Sequence, residues 1–253
     1  MNSSIHPLHL SFLTLFPESV EQMMGFSILG RAQKNERLQI HTIQIRDFAT
    51  DKHQTVDDSP CGGGAGQVMR VDVLHRAIEA AKKQISQDYT SRVILLDPAG
   101  QVFTQKAAAQ LAQWDHLIFL CGRYEGVDAR IWKYVDEVWS IGDFVMTGGE
   151  LAALVMSDAI SRMRPGILGN SLSIENESHM GALLEHHQYT RPITYEGWSV
   201  PDILLSGHHK KIEEARAQDA LARTRIHRPD LVRSDLQSDN LHMVLQPQKK
   251  DNS

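Results

Sequence analysis

Three groups of residues in this chain could do chemistry. Arg162, near the end of a helical run, and the carboxylates Glu175 and Glu177, in the Ser- and Asn-rich stretch "GNSLSIENES" beyond it, could supply a cation and a base. Alone, such residues are usually just solvent-exposed charges. In "LCGRYEGVDAR", Arg123, Tyr124 and Glu125 stand between Gly122 and Gly126. They offer a ring for stacking and a carboxylate that accepts from the ring N–H groups of a base; a structural salt bridge is the plainer use of the same charges. The third group is "DDSPCGGGAGQVM", residues 57–69. It lacks the Gly-Lys-Ser/Thr of a phosphate-binding P-loop. Its glycines follow the polar "DKHQTVDDSP" rather than the apolar strand that a dinucleotide-binding turn requires. Contact with a substrate stays open, because glycines let a backbone come close to a ligand.

These groups need a scaffold, and the hydrophobic pattern supplies one. "LSFLTLF" reads as a strand, followed by a helix that opens near Pro17 with Glu18 in its first turn and runs toward Gly30. "RLQIHTIQI" alternates as a strand does, and "VDVLHRAIEAAKKQI" is amphipathic at helical period. "SRVILLD", "HLIFLCG" and "EVWSIG" are near-continuous apolar runs, the mark of parallel strands buried on both faces. Helical segments "KAAAQLAQW" and "GELAALVMSDAISRM" lie between or after them, which predicts an α/β fold with a parallel sheet over about residues 6–168. Three loops, "LLDPAGQVFTQ", "LCGRYEGVDAR" and "SIGDFVMTGGE", begin where those buried strands end. The crevice beyond strand C-termini is the usual ligand site of an open parallel sheet. Such loops present backbone N–H and C=O groups to a flat heterocycle, and Gly148 and Gly149 open a helix with an electropositive N-terminus.

Composition bounds the rest. With 253 residues, 42% hydrophobic, the chain can bury a sizeable core as one large domain or two unequal ones. No run approaches the roughly 20 apolar residues of a membrane span. "LHLSFLTLF" has no preceding Lys or Arg and no small-residue cleavage pattern after it, so no signal peptide and no membrane partner are expected. Cys61 and Cys121 lack C-x-x-C spacing, which argues against a disulfide or zinc site and for a reducing cytoplasm. Among thirteen histidines, the pairs His186–His187 and His208–His209 lack i, i+4 spacing and read as surface or loop residues. A net charge of -5 argues weakly against a nucleic-acid partner. From Gly207 to Arg233, however, seven cations face four anions, a local excess that is either a solvated helix face or a nucleic-acid contact.

The order of motifs carries more. "DDSPCGGGAG", "LLDPAGQVFTQ", "LCGRYEGVDAR", "SIGDFVMTGGELAA", "SRMRPGILGN", "LLEHHQYTRP", "YEGWSVPDILLSGHHKKI" and "RTRIHRPDLV" succeed one another, over about residues 8–233, in a way that resembles the bacterial tRNA (guanine-N(1)-)-methyltransferases of the TrmD type. The resemblance implies an α/β SPOUT fold with a trefoil knot and a small helical C-terminal domain. It implies three segments: a knotted cofactor-binding domain at 1–168, a flexible linker at 169–176, and a helical tRNA-binding domain with a polar tail at 177–253. It further implies a homodimer with the active site at the subunit interface, S-adenosylmethionine bent into the knot, and tRNA as partner, methylated at ring nitrogen 1 of guanosine 37 beside the anticodon. Mg2+ belongs to the family pattern, although no carboxylate cluster here predicts a protein cage for it.

Carried over by position, the cofactor would meet Leu95, Leu96, Asp97 and Pro98, then Gly122, Arg123, Tyr124 and Glu125. The third loop adds Ile141, Gly142, Asp143, Phe144, Val145 and Met146, with Gly148 and Gly149 closing the knot. Glu125 would read the base beside the target, Pro60 and Gly62 would shape the guanine side of the pocket, and Lys210, Lys211 and Arg216 would hold tRNA. Arg162 matches the arginine that steadies the target guanine, and the family's catalytic aspartate falls on Glu177, a departure. Cys61 is another, standing where the family commonly has tyrosine. Another methyltransferase of the knotted class with a different target nucleotide, and a non-catalytic tRNA-binding module, are the competing readings. The Arg162–Glu177 pair discriminates against the latter, which needs no carboxylate on a mobile linker.

Overall fold

The computed structural model describes residues 6–86, 88–168, 177–181, 183–232 and 248–249, which fall into two compact units, Met1–Ser171 and Leu172–Ser253. The expected linker at 169–176 lies outside the described residues, as does most of the polar tail.

The first unit is built on β1 (Leu8–Thr14), α1 (Pro17–Met24), α2 (Ser27–Lys34), β2 (Leu38–Gln44), the short pair β3 (Asp57–Asp58) and β4 (Val68–Met69), α3 (Val71–Gln84), β5 (Ser91–Val102), α4 (Gln105–Leu111), β6 (His116–Cys121), β7 (Glu137–Ser140) and α5 (Glu150–Arg162). Strands β2, β1, β6, β5 and β7 form one sheet in that order, every pair parallel. The apolar runs are continuous because both faces are covered. Leu8, Leu10, Phe12 and Phe119 pack with α1, α2, α4 and α5 on one face. Leu13, Val93, Leu95 and Ile118 pack with α3 on the other.

The single helix expected from Pro17 toward Gly30 is two helices. The chain caps α1 at Gly25 and restarts at Ser27, which has a positive φ of 51°. Gly30 lies so close to the Gly25 carbonyl that a Cβ there would sit 2.1 Å from its oxygen. The break thus needs a glycine at position 30, where periodicity alone runs straight through.

At the N-terminal end of the sheet the histidines are not surface residues. His9 and His116 open β1 and β6 side by side in register, and both are buried. His9 Nδ1 lies 3.2 Å from His41 Nε2 on β2, and Ser11 Oγ lies 2.7 Å from His116 Nε2. Tyr89 packs against the His9 ring. Burial, then the neighbouring histidine, lowers both His9 and His116 to a pKa of about 4.

The second unit holds an antiparallel hairpin, β8 (Thr194–Tyr195) and β9 (Trp198–Ser199), extended by β10 (Gln248–Lys249), then α6 (Asp202–Leu205) and the long α7 (His209–His227). The hairpin stands beside the helices that sequence reading expected there. The stretch 183–187 is tied to α7 by polar contacts: Leu184 N–H donates to Thr224 Oγ1, Arg223 donates to the Glu185 carbonyl, and His187 meets the buried Asp219 at 2.8 Å. His187 therefore has a structural partner in Asp219.

Candidate functional site

A cavity of about 410 Å³ opens where β5, β6 and β7 end. Each wall has a local cause in sequence. In β5 the pairing with β7 jumps from Leu96 to Gln101, both opposite Trp139, so that Asp97–Pro98–Ala99–Gly100 loops out. Pro98 has no N–H to give a ladder, and Asp97 Oδ1 accepts from the Ala99 N–H at 2.9 Å, closing the turn. After β6, Tyr124 adopts a left-handed φ of 61°, a strained state for a side chain of its size and one that clusters at functional sites. After β7, residues 141–147 lead to Gly149, whose N–H donates to the Gly122 carbonyl at 2.9 Å. Since β5 lies between β7 and β6, this stretch passes over the end of β5 to reach its neighbour. A Cβ on Gly149 would sit 2.9 Å from the Cys121 Cα, so only glycine permits the contact.

Of the residues expected at the cofactor, Leu96, Asp97, Pro98, Gly122, Arg123, Tyr124, Glu125, Ile141, Gly142, Phe144, Val145, Met146, Gly148 and Gly149 line this cavity. Leu95 and Asp143 are not among its lining residues. Leu95 is fully buried against the α3 face, because strand alternation turns it away from Leu96; Asp143 is exposed on its loop. Ala99, Gly126, Val127, Trp139, Ser140, Thr147 and Ala152 also line the cavity and were not named as contacts. All but Trp139 and Ala152 fall inside the three loops already singled out, and those two directly flank or closely follow the third.

Beneath the cavity runs an ion pair that sequence reading left as an alternative. Arg123 Nη2 lies 3.0 Å and Nε 3.1 Å from Glu150 Oε2, and Nη1 donates to the Thr147 carbonyl at 3.3 Å. Glu150, buried at the start of α5, accepts from Thr14 Oγ1 at 2.8 Å through its other oxygen. The Phe16 ring covers the guanidinium at 4.5 Å.

The glycine-rich loop borders this site. Gly62, Gly63, Gly64 and Gly66 all have positive φ, which explains their identity without any ligand. Pro60 accepts from the Gly63 N–H at 3.1 Å, Gly62 has open space around it, and Cys61 is exposed. Farther along, the Glu125 N–H donates to the Gln67 carbonyl and the Met69 N–H to the Gly126 carbonyl. The Glu125 side chain rests on Gly66, where a Cβ would come within 2.3 Å of it.

Arg162 closes α5 in the first unit and is partly buried. Glu177, in the second unit, lines a separate cavity of about 520 Å³ with Glu185, His186, Glu213 and Arg216. Lys210, Lys211 and Arg216 are exposed on the first half of α7. Glu175 lies outside the described residues. Among the described residues no group of three potential metal ligands occurs, and no helix is long and apolar enough to cross a membrane.

A parallel α/β sheet with a ligand-sized cavity over its strand ends defines the class of site. Comparison with known proteins narrows it. The family described as tRNA (Guanine-1)-methyltransferase TrmD matches residues 8–234. The chain is 50% identical over 220 residues to the tRNA (guanine-N(1)-)-methyltransferase of Ruminiclostridium cellulolyticum, covering 87% of this chain and 94% of that protein. It is 48% identical over 224 residues to the protein of the same name from Desulfitobacterium hafniense, covering 88% and 84%. With that of Bacillus subtilis it shares 46% over 228 residues, covering 89% and 93%. The chain belongs to the TrmD family of tRNA (guanine-1)-methyltransferases.

Proposed function

We propose that this protein transfers a methyl group from S-adenosylmethionine to ring nitrogen 1 of guanosine 37 in tRNA. The observation that carries the reading is the cavity walled by three successive strand-end loops in a chain of this family. Its size and backbone-rich, glycine-lined walls fit a nucleoside-like donor, and the donor supplies an electrophilic methyl. The passage of residues 141–149 over β5 supports a trefoil knot.

The chain's own groups do the rest. Nitrogen 1 must lose its proton before its lone pair can attack, and Glu177 is the base, a role worth ~100- to 10,000-fold. Arg162 stabilises the negative charge that grows on the guanine carbonyl oxygen, through a guanidinium that stays charged. Glu125, seated on Gly66, reads the neighbouring base, and Pro60 and Gly62 border the guanine side. For Mg2+, the described residues include no group of three potential ligands.

The active form is a homodimer with the site at the subunit interface. Leu151 and Val155 on α5, with Met23 on α1 and Phe26 beside it, are large apolar side chains left exposed on neighbouring elements, a surface that a second copy would bury. A tRNA-binding domain at residues 177–253 holds tRNA through Lys210, Lys211 and Arg216, in a reducing cytoplasm that accords with two free cysteines.

Incubation with labelled S-adenosylmethionine and unmodified tRNA, then digestion, is expected to place the label on 1-methylguanosine; label on another nucleoside overturns the reading. In single turnover, Glu177→Gln is expected to lose at least about 100-fold while tRNA and cofactor still bind. If Glu175→Gln is the dead variant instead, the base is misassigned. Charge reversal at Lys210, Lys211 and Arg216 is expected to weaken tRNA binding and flatten its salt dependence.

A further inference from the structure

We infer that Glu150 is a positioning residue for the methyl-donor site, acting through Arg123 to hold two of the three cavity loops in register. The inference rests on the reading of that cavity as the donor site.

The carboxylate is buried, and an unpaired charge there would be costly. It is fully engaged: Thr14 Oγ1 donates to one oxygen, and Arg123 Nε and Nη2 converge on the other. Its place in the first turn of α5 adds a favourable dipole. The fork on Arg123 does not stop at Glu150, because Nη1 reaches the Thr147 carbonyl at 3.3 Å. One guanidinium thus joins the loop after β6, which carries it, to the loop after β7, while Glu150 anchors it to β1 and α5. Both joined loops line the cavity.

Gly148 supports this role independently. A Cβ there would lie 2.3 Å from Arg123 Nε and 2.6 Å from Glu150 Oε2. The backbone of the third loop therefore rests directly on the ion pair, and a side chain at 148 would displace one or the other. With three of its five N–H donors committed to Glu150 and Thr147, the Arg123 guanidinium serves the frame of the cavity. A rigid, pre-set frame is what in-line methyl transfer requires.

The test is S-adenosylmethionine affinity by calorimetry, with kinetics, on the full-length protein. Glu150→Gln keeps the shape and an acceptor for Thr14 but turns an amide toward Arg123. It is expected to raise the donor Kd about tenfold or more while the KM for tRNA is unchanged, and Glu150→Asp, which keeps the charge, is expected to recover part of the loss. The double variant Glu150→Gln with Arg123→Gln should be no worse than Arg123→Gln alone, since one residue acts through the other. A donor Kd within about twofold of wild type in folded Glu150→Gln, or losses that multiply in the double variant, overturns the inference. If Glu150→Gln fails to fold, Glu150→Asp decides: a wild-type donor Kd there overturns it too. Failure of the wild-type protein to bind the donor is a separate outcome, and it overturns the functional reading itself.

Discussion

The two ends of the same sheet are built to opposite plans. At the C-terminal end, β5, β6 and β7 run out into loops that leave a cavity, keep one tyrosine in a left-handed conformation and bring backbones together at Gly149. At the N-terminal end, β1 and β6 begin with two buried imidazoles set edge to face, and the His9 ring stacks on His41 and packs against Tyr89. The two faces of the sheet between are packed with apolar side chains, so the difference lies toward the strand ends. Glycines and a proline prevent side chains from filling one end, and histidines and a tyrosine fill the other. Stability and ligand binding are thereby assigned to different ends, which can be tested by changing one end at a time.

The largest effect is expected at the cavity. Gly149→Val drives a side chain into the Cys121 and Gly122 backbone and should weaken S-adenosylmethionine binding at least ~100-fold, equivalent to about 2.7 kcal/mol. Gly122→Ala is the contrast, because its methyl would meet Val127 Cγ1 at an ordinary 3.5 Å and should cost less than about tenfold. Equal losses in the two variants would mean that contact with the backbone is not what makes Gly149 special.

Next is acid sensitivity at the opposite end. His9 and His116 titrate near 6.5 when unfolded and near 4 when folded, so the unfolded chain takes up more protons between those values. Stability is therefore complete above about pH 6.5 and falls by an amount on the order of a few kcal/mol as pH drops toward 4. His41 and Arg164 near His9 add to the effect, and Asp115 opposes it. Urea denaturation across that range measures it, and replacing both histidines with glutamine should flatten the profile. A flat wild-type profile would show that the imidazoles are solvated.

The smallest effect sharpens the contrast. Ser11→Ala removes the partner of a buried imidazole nitrogen and should cost about 1–3 kcal/mol of stability, with donor affinity unchanged. A shifted affinity would show that the ends communicate through β1.

Much of this was legible in the sequence. The five sheet strands and helices α3 to α5 fall where apolar runs and helical periods place them, since local pattern reports which faces are buried. The cavity loops were legible for the same reason: they begin where buried strands stop. What pattern could not show were contacts between distant residues. Thr14 meets Glu150 across 136 positions, and nothing in the spacing of either announces it. The cluster of His9, His41 and His116 was not foreseen, because only strand register assembles it. The break between α1 and α2 depends on Gly25 and Gly30 touching, which a 3.6-residue period does not encode. Residue roles at Arg162 and Glu177 came from family resemblance, since an arginine and a glutamate on separate units carry no local signature of chemistry.

The order of the strands also sets a timetable for the chain as it is made. Leu10 pairs with Ile40 on one side but with Leu117 on the other. The first two strands can zip as soon as they leave the ribosome, yet the second edge of β1 must wait for β6. At about 5–20 residues per second that is several seconds of synthesis. Throughout that interval an apolar strand with an open edge is available to any other unfinished chain. Newly made copies are thus most vulnerable to co-aggregation before residue 121 emerges, and slowing translation ahead of β6 would lengthen the exposure.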